Sequence, residues 1–152
     1  MIRKINSSGA FFLSKDTKRF LLLQKSSGKK ENTWGLVGGK SEPNESAWQG
    51  LQREIVEEIG FFPEVIKTIP LETFVSDDHQ FNFQTYICII QDEFIPKLSK
   101  EHRGWAWCEL DNWPKPVHQG IKNTVGSKIT RVKIETIFDL LDLISNELPS
   151  SG

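Results

Sequence analysis

The chain has 152 residues, with 19 Lys and Arg against 20 Asp and Glu, a formal net charge of -1 and a pI near 6.3. That length predicts one domain over residues 1–152, with 148–152 a flexible tail, and the near-neutral balance offers no basic field to hold duplex nucleic acid by counterion release. The longest apolar runs, such as residues 86–90, fall far short of the roughly 20 residues that span a bilayer, and the N-terminal MIRKINSSG carries no apolar signal region, so a cytoplasmic protein with no membrane partner is expected. Cys88 and Cys108 sit in apolar surroundings without CxxC spacing and read as reduced core thiols. The three histidines, His79, His102 and His118, form no zinc-binding spacing.

Two apolar, aromatic-rich runs, 8–14 and 19–24, flank Lys15-Asp16-Thr17-Lys18 and predict a hairpin. A polar loop over 26–33 follows, with Lys25 at its mouth, and then a short strand over 34–37 that ends in Gly38-Gly39. Ser46 with Gln49 three residues on is a capping box, so a helix begins there, and Gly60 falls where a left-handed residue ends one. Gly50, inside that helix, costs about 1 kcal/mol relative to alanine and predicts a closely packed neighbour. Trp48 reads as a packing residue.

This helix carries Glu54, Glu57 and Glu58 at i, i+3 and i+4, so their carboxylates share one face beside Ala47, Leu51 and Ile55. Like charges so spaced repel unless a cation sits among them, and converging hard oxygen ligands suit Mg²⁺ or Mn²⁺. Arg53 neutralises part of the charge. Taken alone, such a cluster is more often a solvated acidic face.

Further on, 63–73 and 81–91 read as strands with 76–80 as the turn, His79 included. A charged loop over 92–103 leads to a strand over 104–110, and long loops of this kind carry specificity. The proline-punctuated 111–118 cannot be helical throughout. A short helix over 119–125 and a longer one over 128–148, stopped by Pro149, complete the chain. Strands, helix, strands and helix in that order give an α/β fold, a mixed β-sheet sandwiched by helices.

Gly39, Glu45, Arg53-Glu54, Ile55, Glu57-Glu58, Gly60 and Phe61 resemble the Nudix box, GX5EX7REUXEEXGU with U a bulky apolar residue, at every specified position. A chance match in a chain of this length is on the order of one in ten million. The resemblance implies a Nudix fold, an α/β/α sandwich, and hydrolysis of a diphosphate linkage in a nucleoside diphosphate derivative by water attack on phosphorus. It implies Glu57 and Glu58 as main metal ligands, Glu54 as ligand or general base, the Gly39 carbonyl as a further ligand and Arg53 as the group that orients the glutamates. Glu45 is expected to make a structural contact. Glu101, six positions before Trp107, falls where several family members supply another glutamate, as ligand or base. Lys25 falls where a basic residue often faces substrate phosphate, Gly38 lets backbone approach the ligand, and His118 lies near where some members read the base. Val37 departs from the proline common before the glycine pair.

The leading expectation is therefore a Mg²⁺-dependent pyrophosphohydrolase of a small nucleotide, Mn²⁺ being a substitute. A hydrolase of RNA 5′ ends is a second expectation if Lys29, Lys30, Lys97, Lys100 and Arg103 meet in one groove, and an idle nucleotide sensor on the same scaffold a third. Oligomeric state stays open, a homodimer included.

Overall fold

The computed structural model describes residues 4–147. Its centre is β1 (Ile5–Ser14), which pairs antiparallel with β2 (Phe20–Lys25) through the polar turn and parallel with β6 (Phe81–Ile90) in one register over ten residue pairs. The sheet runs β3 (Trp34–Gly35), β2, β1, β6, β5 (Lys67–Val75), with β4 (Val37–Lys40) also pairing with β1 and β7 (His102–Cys108) with β2.

The apolar runs are continuous because both faces of the sheet are covered. Phe11, Leu13, Phe20, Leu22, Ile87 and Ile89 face one core. Their alternate neighbours Ala10, Phe12, Leu21, Leu23, Cys88 and Ile90 face the other. The period of two along each strand thus serves two separate layers. The first layer is closed by α2 (Gln119–Gly126) and α3 (Lys128–Glu147) through Ile121, Val125, Ile134, Ile137 and Leu141. The second is closed by α1 (Ala47–Ile59) through Leu51, Ile55 and Ile59. Each of the three fully buried α1 side chains stabilises by about 1.5–3 kcal/mol, so Leu51→Ala would loosen the helix. The architecture is the expected α/β/α sandwich on a mixed sheet.

Helix α1 begins and ends as its sequence dictates. Ser46 Oγ accepts from Gln49 N while Gln49 Oε1 accepts from Ser46 N, and Gly60 closes the helix at φ 87° with its N–H on the Val56 carbonyl. The neighbour that Gly50 implies is the feeding loop itself: a Cβ there would stand 2.5 Å from Ser41 Oγ. Trp48 packs edge-on against Tyr86 and Phe62. Cys88 and Cys108 are buried free thiols.

Three details differ from expectation. The strand over 34–37 is two, because the chain leaves β2 after Gly35 and joins β1 at Val37. Strand β5 starts at Lys67, later than residue 63, and Pro70, which cannot donate to a ladder, falls at a bulge opposite β6. Strand β7 begins at His102, two residues earlier than its apolar run, because it pairs with Lys25. The tail 148–152 and Pro149 lie outside the described residues. Among those residues no helix is long and apolar enough to cross a membrane.

Candidate active site

The glycine turn and the glutamate helix meet because β4 pairs with β1 beneath α1. Gly38 sits opposite Gly9 and Gly39 opposite Ser8. At φ 155° Gly38 is in a region closed to most residues, and a Cβ on it would stand 2.1 Å from the Ser8 carbonyl oxygen. This tight backbone aims the Gly38 N–H at Glu58 Oε1, which accepts it at 2.7 Å.

Glu58 is buried, 4% exposed, and that N–H is its one hydrogen bond among the described residues. Burial, only partly offset by this bond and aggravated by Glu54 and Glu101, pushes its carboxyl up to about 8. Glu54 shares the environment: burial raises its pKa, Glu57 and Glu101 add to the rise, and Arg53 opposes it. Its carboxylate lies over Gly39.

Arg53 ties the cluster together. Its Nε and Nη2 donate in fork geometry to Glu45 Oε2 and Oε1, both at 2.9 Å, and Nη2 also reaches the Lys40 carbonyl at 3.0 Å. Its Nη1 donates to Glu54 Oε1 at 3.0 Å and Glu57 Oε1 at 3.3 Å. The guanidinium pKa is raised, first by Glu45, and the Glu45 carboxyl is held below its ordinary range, first by Arg53. Glu45, which precedes the helix, is thus the clamp on Arg53. Glu57 is the outlying member, its side chain 57% exposed at the rim.

Glu101 joins the site from the opposite side. It stands just before β7, whose pairing with β2 sets Lys25 across from His102, and its carbonyl accepts from Ser26 N at 2.9 Å. Glu58, Glu101 and His102 each offer one ligand atom, all within 4.8 Å of one another. No spacing rule singles out His102. Its one sequence signal is adjacency to Glu101 at the start of a strand.

The donor set fits a divalent cation. A buried carboxylate with no Lys or Arg in salt-bridge contact among the described residues, flanked by two more carboxylates and only partly compensated by the charge of Lys25, is relieved either by protonation or by a metal, and hard oxygens suit Mg²⁺ or Mn²⁺.

Beside the cluster opens a cavity of about 430 Å³. Lys25, Gly38, Gly39 and His102 line the end next to the carboxylates, and Phe74, Phe81, Phe83, Leu36 and Asn123 line much of the rest. The far wall is therefore made by the β5–β6 hairpin and α2, where sequence reasoning had looked to the loop over 92–103. His118 also lines it: as N-cap of α2 its Nδ1 accepts from Gly120 N at 2.9 Å, which leaves the neutral ring's proton on Nε2. Burial, then Lys30 and Lys25, lowers its pKa.

A mixed sheet between helices, with a glycine turn feeding a carboxylate cluster and a largely apolar cavity alongside, fits a hydrolase of phosphorus anhydrides. The comparisons agree. Residues 4–125 match the family model described as NUDIX domain, and the chain belongs to that family. It is 34% identical over 64 residues to Nudix hydrolase 7 of Arabidopsis thaliana, a stretch that covers 41% of this chain and 23% of that protein. Among solved structures it resembles a MutT Nudix hydrolase from Burkholderia pseudomallei, with TM-score 0.58 and 21% identity over 88% of this chain and 97% of that one. It also resembles a Nudix hydrolase family member from Chromobacterium violaceum, with TM-score 0.60 and 17% identity over 94% of each chain. A third is the Nudix domain of Shewanella oneidensis NrtR complexed with ADP ribose, with TM-score 0.58 and 18% identity over 72% of this chain and 75% of that one. Likeness at these identities speaks to the fold alone.

Proposed function

We propose that this protein is a Mg²⁺-dependent pyrophosphohydrolase, with Mn²⁺ as substitute, that cleaves a diphosphate linkage in a nucleoside triphosphate or nucleoside diphosphate derivative in the cytoplasm. The observation that carries the reading is the clustering of buried Glu58 with Glu54 and Glu101 behind Gly38, Gly39 and His102, which line one end of a mostly apolar cavity. Such a cavity suits a planar base at one end while the phosphates reach the cluster at the other.

Glu58 and Glu101 hold the cation, with the Gly39 carbonyl and Glu57 contributing from the rim. A divalent cation there offsets the charge of adjacent phosphates and acidifies water near them. Lys25 faces a phosphate and the Gly38-Gly39 backbone lets it approach. Glu54 accepts the proton of the attacking water: its raised pKa brings it nearer neutrality, as an effective base requires, and Arg53 fixes Oε1. His118 Nε2–H donates to the base or sugar. Arg53 positions the carboxylates, held in turn by Glu45.

A panel of nucleoside triphosphates, nucleotide sugars and ADP-ribose, run with Mg²⁺ and Mn²⁺ in ¹⁸O water, tests this. Hydrolysis is expected with label in one phosphate product. Glu54→Gln should lower kcat by about 10²–10⁴ with cation affinity kept, whereas Glu101→Gln should lower cation affinity. No turnover of any compound, with nucleotide still bound, returns the protein to the sensor reading.

A second reading keeps one observation. The loops over 26–33 and 92–101 do adjoin, Ser26 N and Oγ donating to the carbonyls of Glu101 and Lys100, although Arg103 is engaged by Glu31 and the Ser26 carbonyl. Turnover of triphosphorylated RNA but of no free nucleotide would make it the RNA-end enzyme.

A further inference from the structure

Resting on the reading of the acidic cluster as a cation site, we propose that His102 is a nitrogen ligand of that cation, so the site binds Mn²⁺ or another first-row transition ion more tightly than Mg²⁺ while turning over with either.

The case starts from an imidazole with no hydrogen-bond partner. The His102 side chain is 2% exposed, and its Nδ1 is buried without a partner among the described residues. Its Nε2 stands 3.9 Å from Glu58 Oε2, beyond any hydrogen bond. A buried histidine that serves only as packing is ordinarily hydrogen-bonded, and an orphaned polar group costs about 1–3 kcal/mol. A cation on Nε2 would give the ring a partner on the side that faces Glu58.

Geometry supplies the reason. Two ligand atoms about 2.1 Å from one ion lie about 3.0 Å apart at right angles and about 4.2 Å apart across it. The 3.9 Å between Nε2 and Oε2 lies inside that range, and Glu58, Glu101 and His102 each offer one ligand atom within 4.8 Å of the others. Glu58 Oε1 is taken by Gly38 N, so Oε2, the oxygen facing His102, is the one free for a metal.

An unprotonated imidazole offers a lone pair at Nε2, the nitrogen that faces Glu58. The strand register fixes it there, because β7 pairs with β2 and holds His102 opposite Lys25. Two carboxylates and one imidazole form a mixed oxygen and nitrogen set. Mg²⁺ keeps oxygen and water ligands and accepts nitrogen poorly, whereas Mn²⁺ and its heavier neighbours take both.

The test uses the whole chain with Mn²⁺ alone. Pulsed EPR of the Mn²⁺ complex should show modulation from a directly bound ¹⁴N. His102→Ala should abolish it, while His118→Ala and His79→Ala keep it. By calorimetry, His102→Ala should weaken Mn²⁺ at least about tenfold and Mg²⁺ by less than about threefold. If His102→Ala does not fold, the wild-type spectrum and the two other histidine variants decide alone. A Mn²⁺ complex without nitrogen coupling, a coupling that survives His102→Ala, or equal losses of both ions overturns the inference. A nitrogen-free Mn²⁺ site in a protein that still hydrolyses nucleotides sinks this ligand and leaves the function standing. Absence of both cation binding and hydrolysis sinks both.

Discussion

The carboxyl group of Glu54 lies over the α-carbon of Gly39, so close that a Cβ on the glycine would stand 2.7 Å from Glu54 Cδ and 3.0 Å from each oxygen. The glycine at this position is thus explained by the side chain above it. Gly39→Ala is expected to push Glu54 aside while β4 stays paired, since no positive φ is at stake there. Activity should fall about 10–100-fold with little change in Tm. Gly38→Ala is the contrasting variant: its Cβ meets backbone at a strained φ, so stability itself should drop by about 1–3 kcal/mol or more. Thermal melts beside kcat separate the two, and equal Tm losses would defeat the distinction.

Arg53 makes five hydrogen bonds to Glu45, Glu54, Glu57 and the Lys40 carbonyl. The planar fork is what lets one side chain serve the feeding loop and the helix together. Arg53→Lys keeps the charge and loses the fork, so it should lower cation affinity and kcat about tenfold or more. Glu45→Gln should show a milder loss of the same kind, because it frees Arg53 without touching the other glutamates. Identical cation affinity in Arg53→Lys and wild type, by calorimetry, would show that charge alone suffices.

These networks also show what the sequence could reveal. Glu54, Glu57 and Glu58 share a face through spacing along one helix, and the Ser46 cap and Gly60 stop are equally local, so all were legible. The layered sheet was legible as well, since runs such as residues 86–90 are apolar at both parities and so need cover on both faces. The convergence of Glu101 and His102 on Glu58 depends on β2 pairing with β7, contacts made across about 80 residues of chain, which no local pattern encodes. The switch of partner at Leu36 and the cavity wall of Phe74, Phe81 and Phe83 are non-local in the same way.

Lys25 and His118 line one cavity but meet different parts of a nucleotide in the proposed binding mode. Lys25→Ala should weaken every substrate in a panel by a similar factor, about tenfold, because phosphate is common to all. His118→Ala should act unevenly across bases, since its Nε2–H donates only to a matching acceptor. Uniform loss for His118→Ala, in kcat/KM across four nucleotides, would remove it from base contact.

Glu58 and His102 give the cation-free protein a pH dependence whose sign follows from burial. The Glu58 carboxyl is raised from 4.5 to about 8, so the folded state holds a proton that the unfolded chain has released. Its contribution to stability is complete below pH 4.5 and is lost as pH rises through 8. His102 is lowered from 6.5 to about 4, so its contribution is complete above pH 6.5 and is lost as pH falls through 4. Between 4.5 and 6.5 the two slopes oppose each other. Above 6.5 Glu58 acts without that opposition, at a limiting slope of about 1.4 kcal/mol per pH unit. In EDTA the Tm should therefore fall from pH 6.5 to 8, Glu58→Gln should flatten that fall, and added Mn²⁺ should stabilise the wild type more at pH 8 than at 6.5. A wild-type Tm that stays level in EDTA across this window would mean that Glu58 is already ionised and its charge met by the protein itself.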